Sequence, residues 1–131
     1  ETKSFNFNIL KGDQNDIWLS CANGLYIYDI EKNVLREFIK SIDLSHSLAI
    51  NATKPLHLDQ RGNIWYGTHG DGIYVIDTHS RHYTNFRNNP GELSSLSENA
   101  INCIFEDSVI CFMLSNTFPY SFDNDFRMTY I

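Results

Sequence analysis

Apolar residues along this chain come in short runs broken at regular intervals by turn formers. "PLHL" (55–58), "NIWYGT" (63–68), "GIYVID" (72–77) and "RHYTNF" (81–86) read as four successive strands. Earlier in the chain "NILK" (8–11), "DIWLS" (16–20), "LYIYDI" (25–30) and "NVLREF" (33–38) form the same series, and "INCIFE" (101–106) opens it again. The turns between first and second strands put Gly62 and Asn15 at matching places, where a positive φ is wanted. The inner strands carry large side chains at consecutive positions ("IYVI", "LYIY"), so both faces of each sheet need cover.

The two series are copies of one unit. Trp18 falls on Trp65, Gly24 on Gly72, Tyr26 on Tyr74, Asp29 on Asp77 and Phe38 on Phe86, with Gly70 as a one-residue insertion in the second copy. The connecting segments keep the register: Ser47-Leu48 matches Ser95-Leu96, Asn51 matches Asn99, and Asp59 matches Asp107. A period of about 48 residues, with four strands in each unit, is what the blades of a β-propeller show. The expected fold is all-β: a partial β-propeller of two four-stranded antiparallel blades plus the first strand of a third. Residues 1–54 would hold the first blade and its link, 55–100 the second blade and link, and 101–108 the opening strand of the third.

Composition supports this and narrows the function. Aromatics make up 14% of the 131 residues, a bias that favours strands. The net charge of −6 and a pI near 5.2 argue against a nucleic-acid partner. No apolar run is long enough to span a membrane. Cys21, Cys103 and Cys111 show no paired spacing and are expected as buried or half-buried free thiols. The chain opens at Glu1 without Met, which leads us to expect a trimmed or excised piece of a longer protein.

"DQRGNIWYGTHGDGIYVID" (59–77) resembles the two-component regulator propeller repeat. Asp59, Gly62, Ile64, Trp65, Gly67, Thr68 and Gly72 stand where that repeat wants them. "NPGELSSLSENAINCIFEDS" (89–108) is similar to the family's link between blades. The first copy is more degenerate, with Ser20, Cys21 and Asn15 in place of Gly, Thr and Gly. The resemblance covers residues 6–108. It implies the periplasmic sensor part of a hybrid two-component regulator of Bacteroidetes, in a parent protein anchored in the inner membrane. It also implies an oligosaccharide ligand, control of polysaccharide-utilisation genes, no catalysis within this segment, and a histidine kinase module elsewhere. A secreted propeller enzyme and a protein-binding scaffold are the other classes the repeat admits.

Residues 109–131 depart from the pattern, lacking a turn glycine, a Trp and any visible register. They are expected as a divergent apolar tail outside the repeat, either packed over an open blade face or produced by a rearranged reading frame. Two blades and one strand cannot close a ring, so the remaining blades of the parent or self-association through open faces would supply the partner surface.

Candidate chemistry is sparse. "THGDG" (68–72) runs into a strand, whereas a phosphate loop needs a helix N-terminus. Asp59, Asn63 and Asp71 lack the spacing of a calcium loop and read as turn caps. His79 and His82 have no further ligands at metal spacing, so neither a metal nor another cofactor is expected. Trp18 and Trp65 are expected to pack between blades in preference to stacking on sugars. With Gly24, Asp59, Gly62, Gly67, Thr68 and Gly72 they form the structural set. His69 and Asp71, flanking the inserted Gly70, are the candidate ligand contacts, because binding residues of propellers sit on loops.

Overall fold

The computed structural model describes residues 8–12, 14–21, 24–40, 55–107, 111–115, 119–123 and 125–130. The chain is an all-β partial propeller. The first sheet is built from β1 (Asn8–Lys11), β2 (Asp16–Cys21), β3 (Gly24–Asp29) and β4 (Val34–Lys40). The second holds β5 (Leu56–Leu58), β6 (Asn63–Gly67), β7 (Ile73–Asp77) and β8 (Tyr83–Phe86), and the third β9 (Ile101–Glu106), β10 (Cys111–Ser115), β11 (Pro119–Phe122) and β12 (Met128–Tyr130). Each sheet is an antiparallel meander in chain order. The first strands β1, β5 and β9 lie side by side along the inner edge.

The third sheet corrects the expected tail outside the repeat at 109–131: its described residues supply β10–β12 and complete a third four-stranded blade. A blade needs strands of the right length and turns that reverse them, and the glycine–tryptophan motif is only one way to provide these. A second signature runs through all three sheets. Tyr26-Ile27-Tyr28-Asp29, Tyr74-Val75-Ile76-Asp77 and Tyr120-Ser121-Phe122-Asp123 each put an aspartate at the end of a third strand or, for Asp123, one residue past it. That carboxylate accepts the backbone N–H groups of the turn that follows. Lys32 N donates to Asp29 at 3.0 Å, His79 N and Ser80 N to Asp77 at 2.8 and 3.0 Å, and Asp125 N and Arg127 N to Asp123 at 2.8 and 2.9 Å. Backbone N–H donation, from Lys32 to Asp29 and from Ser80 to Asp77, holds both carboxyls below the ordinary range. Each of these turns then passes through a left-handed residue: Asn33 (φ 52°), Arg81 (φ 66°) and Phe126 (φ 58°).

The consecutive apolar residues of the second sheet have the two-sided burial that the sequence demands. Ile64, Tyr66, Tyr74 and Ile76 meet Trp18, Leu25, Ile27 and Ile39 of the first sheet. Trp65, Ile73 and Val75, one position out of phase, meet Ile101, Tyr120 and Phe122 of the third sheet and Leu96 of the link. The period-2 alternation of a strand therefore puts one apolar set against each neighbour. The first sheet differs. Ile17, Leu19, Tyr26 and Tyr28, out of phase with its buried set, are half-buried. Of the cysteines, Cys21 is half-buried, whereas Cys103 is exposed, which corrects the expectation of a covered thiol. The side chain of Cys111 lies outside the described residues.

One buried group makes a direct prediction. Tyr66 is fully buried between the first and second sheets, and its hydroxyl finds no hydrogen-bond partner among the described residues. Burial pushes its phenol far above the ordinary tyrosine range. Tyr66→Phe removes an unsatisfied O–H while keeping the ring, so it is expected to stabilise the fold by about 1 kcal/mol. A urea titration of the two proteins measures this, and a loss of stability would show that the hydroxyl is satisfied in solution.

Candidate ligand-contact site

The corner between β6 and β7 is held from within. Thr68 Oγ1 donates to Gly72 O at 2.8 Å and accepts Asp71 N at 2.8 Å, and Thr68 N donates to Gly72 O at 3.0 Å. The link to the third sheet is stitched onto the same corner, with Gly72 N donating to Asn99 O at 2.9 Å and Ile101 N to Thr68 O at 2.7 Å. Two glycines permit this close approach. A Cβ at Gly67 would stand 2.6 Å from Pro55 Cγ and 2.8 Å from Ile101 Cγ2. Gly72 adopts φ +71°, and a Cβ there would sit 2.0 Å from Phe86 O.

Of the two candidate contacts, Asp71 is engaged inside the protein. Its Oδ1 lies 3.0 Å from Arg87 Nε, its Oδ2 accepts the Tyr74 hydroxyl, and its carbonyl accepts Asn85 Nδ2 at 2.8 Å. The carboxylate is only 13% exposed. Burial, reinforced by the hydrogen bond to Asp71, pushes the Tyr74 phenol well above its ordinary range. His69 is half-buried at the same corner, so the two residues share a turn without forming a free polar pair.

The opposite end of the sheets shows why the aspartate of the repeat sits six residues before its tryptophan. Asp59 Oδ1 accepts Arg61 N at 2.9 Å and Asn63 N at 2.8 Å, capping the turn at Gly62 (φ 84°). Asp59 Oδ2 accepts Trp65 Nε1 at 2.9 Å and Asn63 Nδ2 at 3.1 Å. Its acceptor capacity is spent on the fold, and Asp71 lies at the other end of β6. Among the described residues no cluster of His, Cys, Asp or Glu is arranged to hold a metal.

In the first sheet Gly12 takes the place of Asp59, and Asp16 the place of Asn63. The Asp16 carboxylate fills the vacated space: a Cβ on Gly12 would lie 2.0 Å from Asp16 Oδ1 and 2.8 Å from Trp18 Nε1. Asp16 Oδ2 is paired at 2.8 Å with Nη2 of Arg81, the left-handed turn residue of the second sheet, whose guanidinium also lies over the Trp18 ring at 5.4 Å. Phe126, at the equivalent turn of the third sheet, stands 5.8 Å from the Trp65 ring, centroid to centroid. Each turn residue thus covers the tryptophan of the preceding sheet. Sequence reasoning missed this pattern, although the aspartate four residues before Arg81 and three before Phe126 marks both positions.

Two further features could meet a ligand. Nε2 of His57 on β5 lies 2.8 Å from Oε2 of Glu106 on β9, whose Oε1 accepts Gln60 N at 2.9 Å, which ties the inner edges of the second and third sheets. A cleft of about 550 Å³ opens between the outer part of the second sheet and the β11–β12 turn. A smaller one of about 240 Å³ lies beside it, between β8, the link and Met128.

This arrangement defines a stacked-blade protein whose turns carry its variable chemistry. No family model and no curated protein matches the sequence. Solved structures do match. The extracellular domain of the putative hybrid two-component system BT3049 from B. thetaiotaomicron aligns with a TM-score of 0.71 at 15% identity, over 94% of this chain and 18% of that one. The extracellular domain of the putative one-component system BT4673 from the same organism aligns at 0.61 and 17%, over 99% of this chain and 16% of that one. Sqt1 of Saccharomyces cerevisiae aligns at 0.62 and 13%, over 96% and 34%. The chain therefore has the fold of these bacterial extracellular domains and spans about a fifth of their length or less. No helix among the described residues is long and apolar enough to cross a membrane.

Proposed function

We propose that this chain is part of the periplasmic ligand-sensing propeller of a hybrid two-component regulator that responds to oligosaccharides and controls polysaccharide-utilisation genes. The observation that carries this reading is the fold shared, over nearly the whole chain, with extracellular domains of two-component systems. The parent protein would be anchored in the inner membrane, with histidine kinase activity in a module outside this segment. Ligand binding would act by favouring one packing of the blades over another, since a bound sugar biases a distant module only by binding one state more tightly than the other. His69 is retained as a ligand contact at the β6–β7 corner. Asp71 would act there by positioning Tyr74 and Arg87.

Deleting the parent gene tests the reading. Growth and transcript profiles on a panel of purified polysaccharides should lose induction on one of them and remain normal on glucose. Unchanged induction across the whole panel would remove polysaccharide control from the assignment.

A further inference from the structure

The second and third sheets pack around Trp65, and the 550 Å³ cleft opens beside that contact, along β8 and the β11–β12 turn. Its volume is in the range of small-molecule sites, about 300–1,000 Å³. On the second sheet it is lined by Val75 and Phe86 together with Asn63, Asp77 and Thr84, which share one face, and by His82 just before β8; Asp125 and Phe126 of the β11–β12 turn line the rest. Apolar surface interleaved with hydrogen-bonding groups suits a ring that has a C–H face and a rim of hydroxyls.

Charge narrows the occupant further. Among the described residues neither Lys nor Arg lines the cleft, and Arg61, close by, is stacked on the ring of Phe126 at 5.2 Å. Asp77 is kept ionised by the N–H groups of Ser80 and His79, and Asp125 is exposed. An anionic ligand would meet two carboxylates and, among the described lining residues, no lysine or arginine, a repulsive arrangement that discriminates against it.

We infer that this inter-sheet cleft is a saccharide subsite that takes neutral sugar rings and rejects uronic-acid and sulfated ones. The ligand class rests on the oligosaccharide-sensing reading. The location and the charge preference rest on the cleft. The site is separate from the β6–β7 corner, since its polar groups lie toward the opposite ends of β6 and β7.

Thr84 is exposed and lines the cleft, so Thr84→Trp fills it without disturbing a buried contact. Leu93→Trp, at a residue 97% exposed on the link and outside the cleft, controls for adding a tryptophan. The full chain and both variants are applied to an array of neutral, uronic-acid and sulfated oligosaccharides, with melting curves to verify folding. The expected result is binding confined to neutral glycans, weakened about tenfold or more by Thr84→Trp and unchanged by Leu93→Trp. Equal binding by Thr84→Trp, or binding of acidic glycans alone, would overturn the cleft assignment and leave the sensing reading intact. No binding of any glycan by the wild-type chain would also overturn the cleft assignment, while the sensing reading stands or falls on the gene deletion.

Discussion

Replacing Trp65 by Ala is expected to cost about 4 kcal/mol of folding stability, enough to unfold much of the population of a marginally stable domain. The indole is 2% exposed and lies at the centre of the contact between the second and third sheets. It meets Phe122 edge-on at 5.1 Å and Phe126 at 5.8 Å, so its removal strips a contact from each of two further aromatic rings. Its Nε1 also ties the sheet to the Asp59 turn. Trp65→Phe should recover a large part of the loss by restoring ring contacts while leaving the Asp59 bond unmade. Equilibrium urea unfolding of the three proteins measures both steps, and a loss below about 1.5 kcal/mol for the alanine variant would contradict the two-sided packing described above.

Arg81→Ala is expected to cost about 3 kcal/mol, the second largest effect. The Asp16 side chain is 4% exposed and Arg81 is its cationic partner, itself 31% exposed. Truncating the arginine leaves a carboxylate between two sheets with its other oxygen, Oδ1, already without a hydrogen bond among the described residues. It also uncovers the Trp18 ring. The double variant Asp16→Asn with Arg81→Met removes both charges and keeps much of the volume, so it should be more stable than Arg81→Ala alone. A double-mutant cycle by urea unfolding isolates the pair. Additivity of the Asp16→Asn and Arg81→Met effects would show that the ion pair contributes nothing between the sheets.

The sequence made the first two blades legible because glycine, tryptophan and consecutive apolar residues answer to local rules: a positive φ at Gly62, a buried indole at Trp65, two covered faces in "IYVI". The third blade escaped because those markers are missing from it. Its own marker, the aspartate that gathers the N–H groups of the β11–β12 turn, is common enough to pass for an ordinary turn residue. Contacts between sheets were less legible still. The positions of Asp16 and Arg81 in the chain give no hint that the two residues meet, because the pairing depends on how one sheet stacks on the next. The β6–β7 corner shows the same limit. Asp71 drew attention beside an inserted glycine, and only the structure places Arg87 and Tyr74 around it. The rim cleft belongs to two sheets at once, so no single stretch of sequence announces it.

The turn residues that cover each tryptophan also write the order of the blades into the chain. Arg81 suits a neighbour that offers Asp16, and Phe126 suits one that offers Asn63. A gene duplication that inserted a second copy of residues 55–100 after the first would bring an arginine against a neutral asparagine and an Asp59 carboxylate already engaged by Arg61 N, Asn63 and Trp65 Nε1. A copy exchanged between molecules out of order would meet the same mismatch. Units so alike in backbone could otherwise slip by one blade during folding, and a single side chain at each junction makes the wrong neighbour the less stable one.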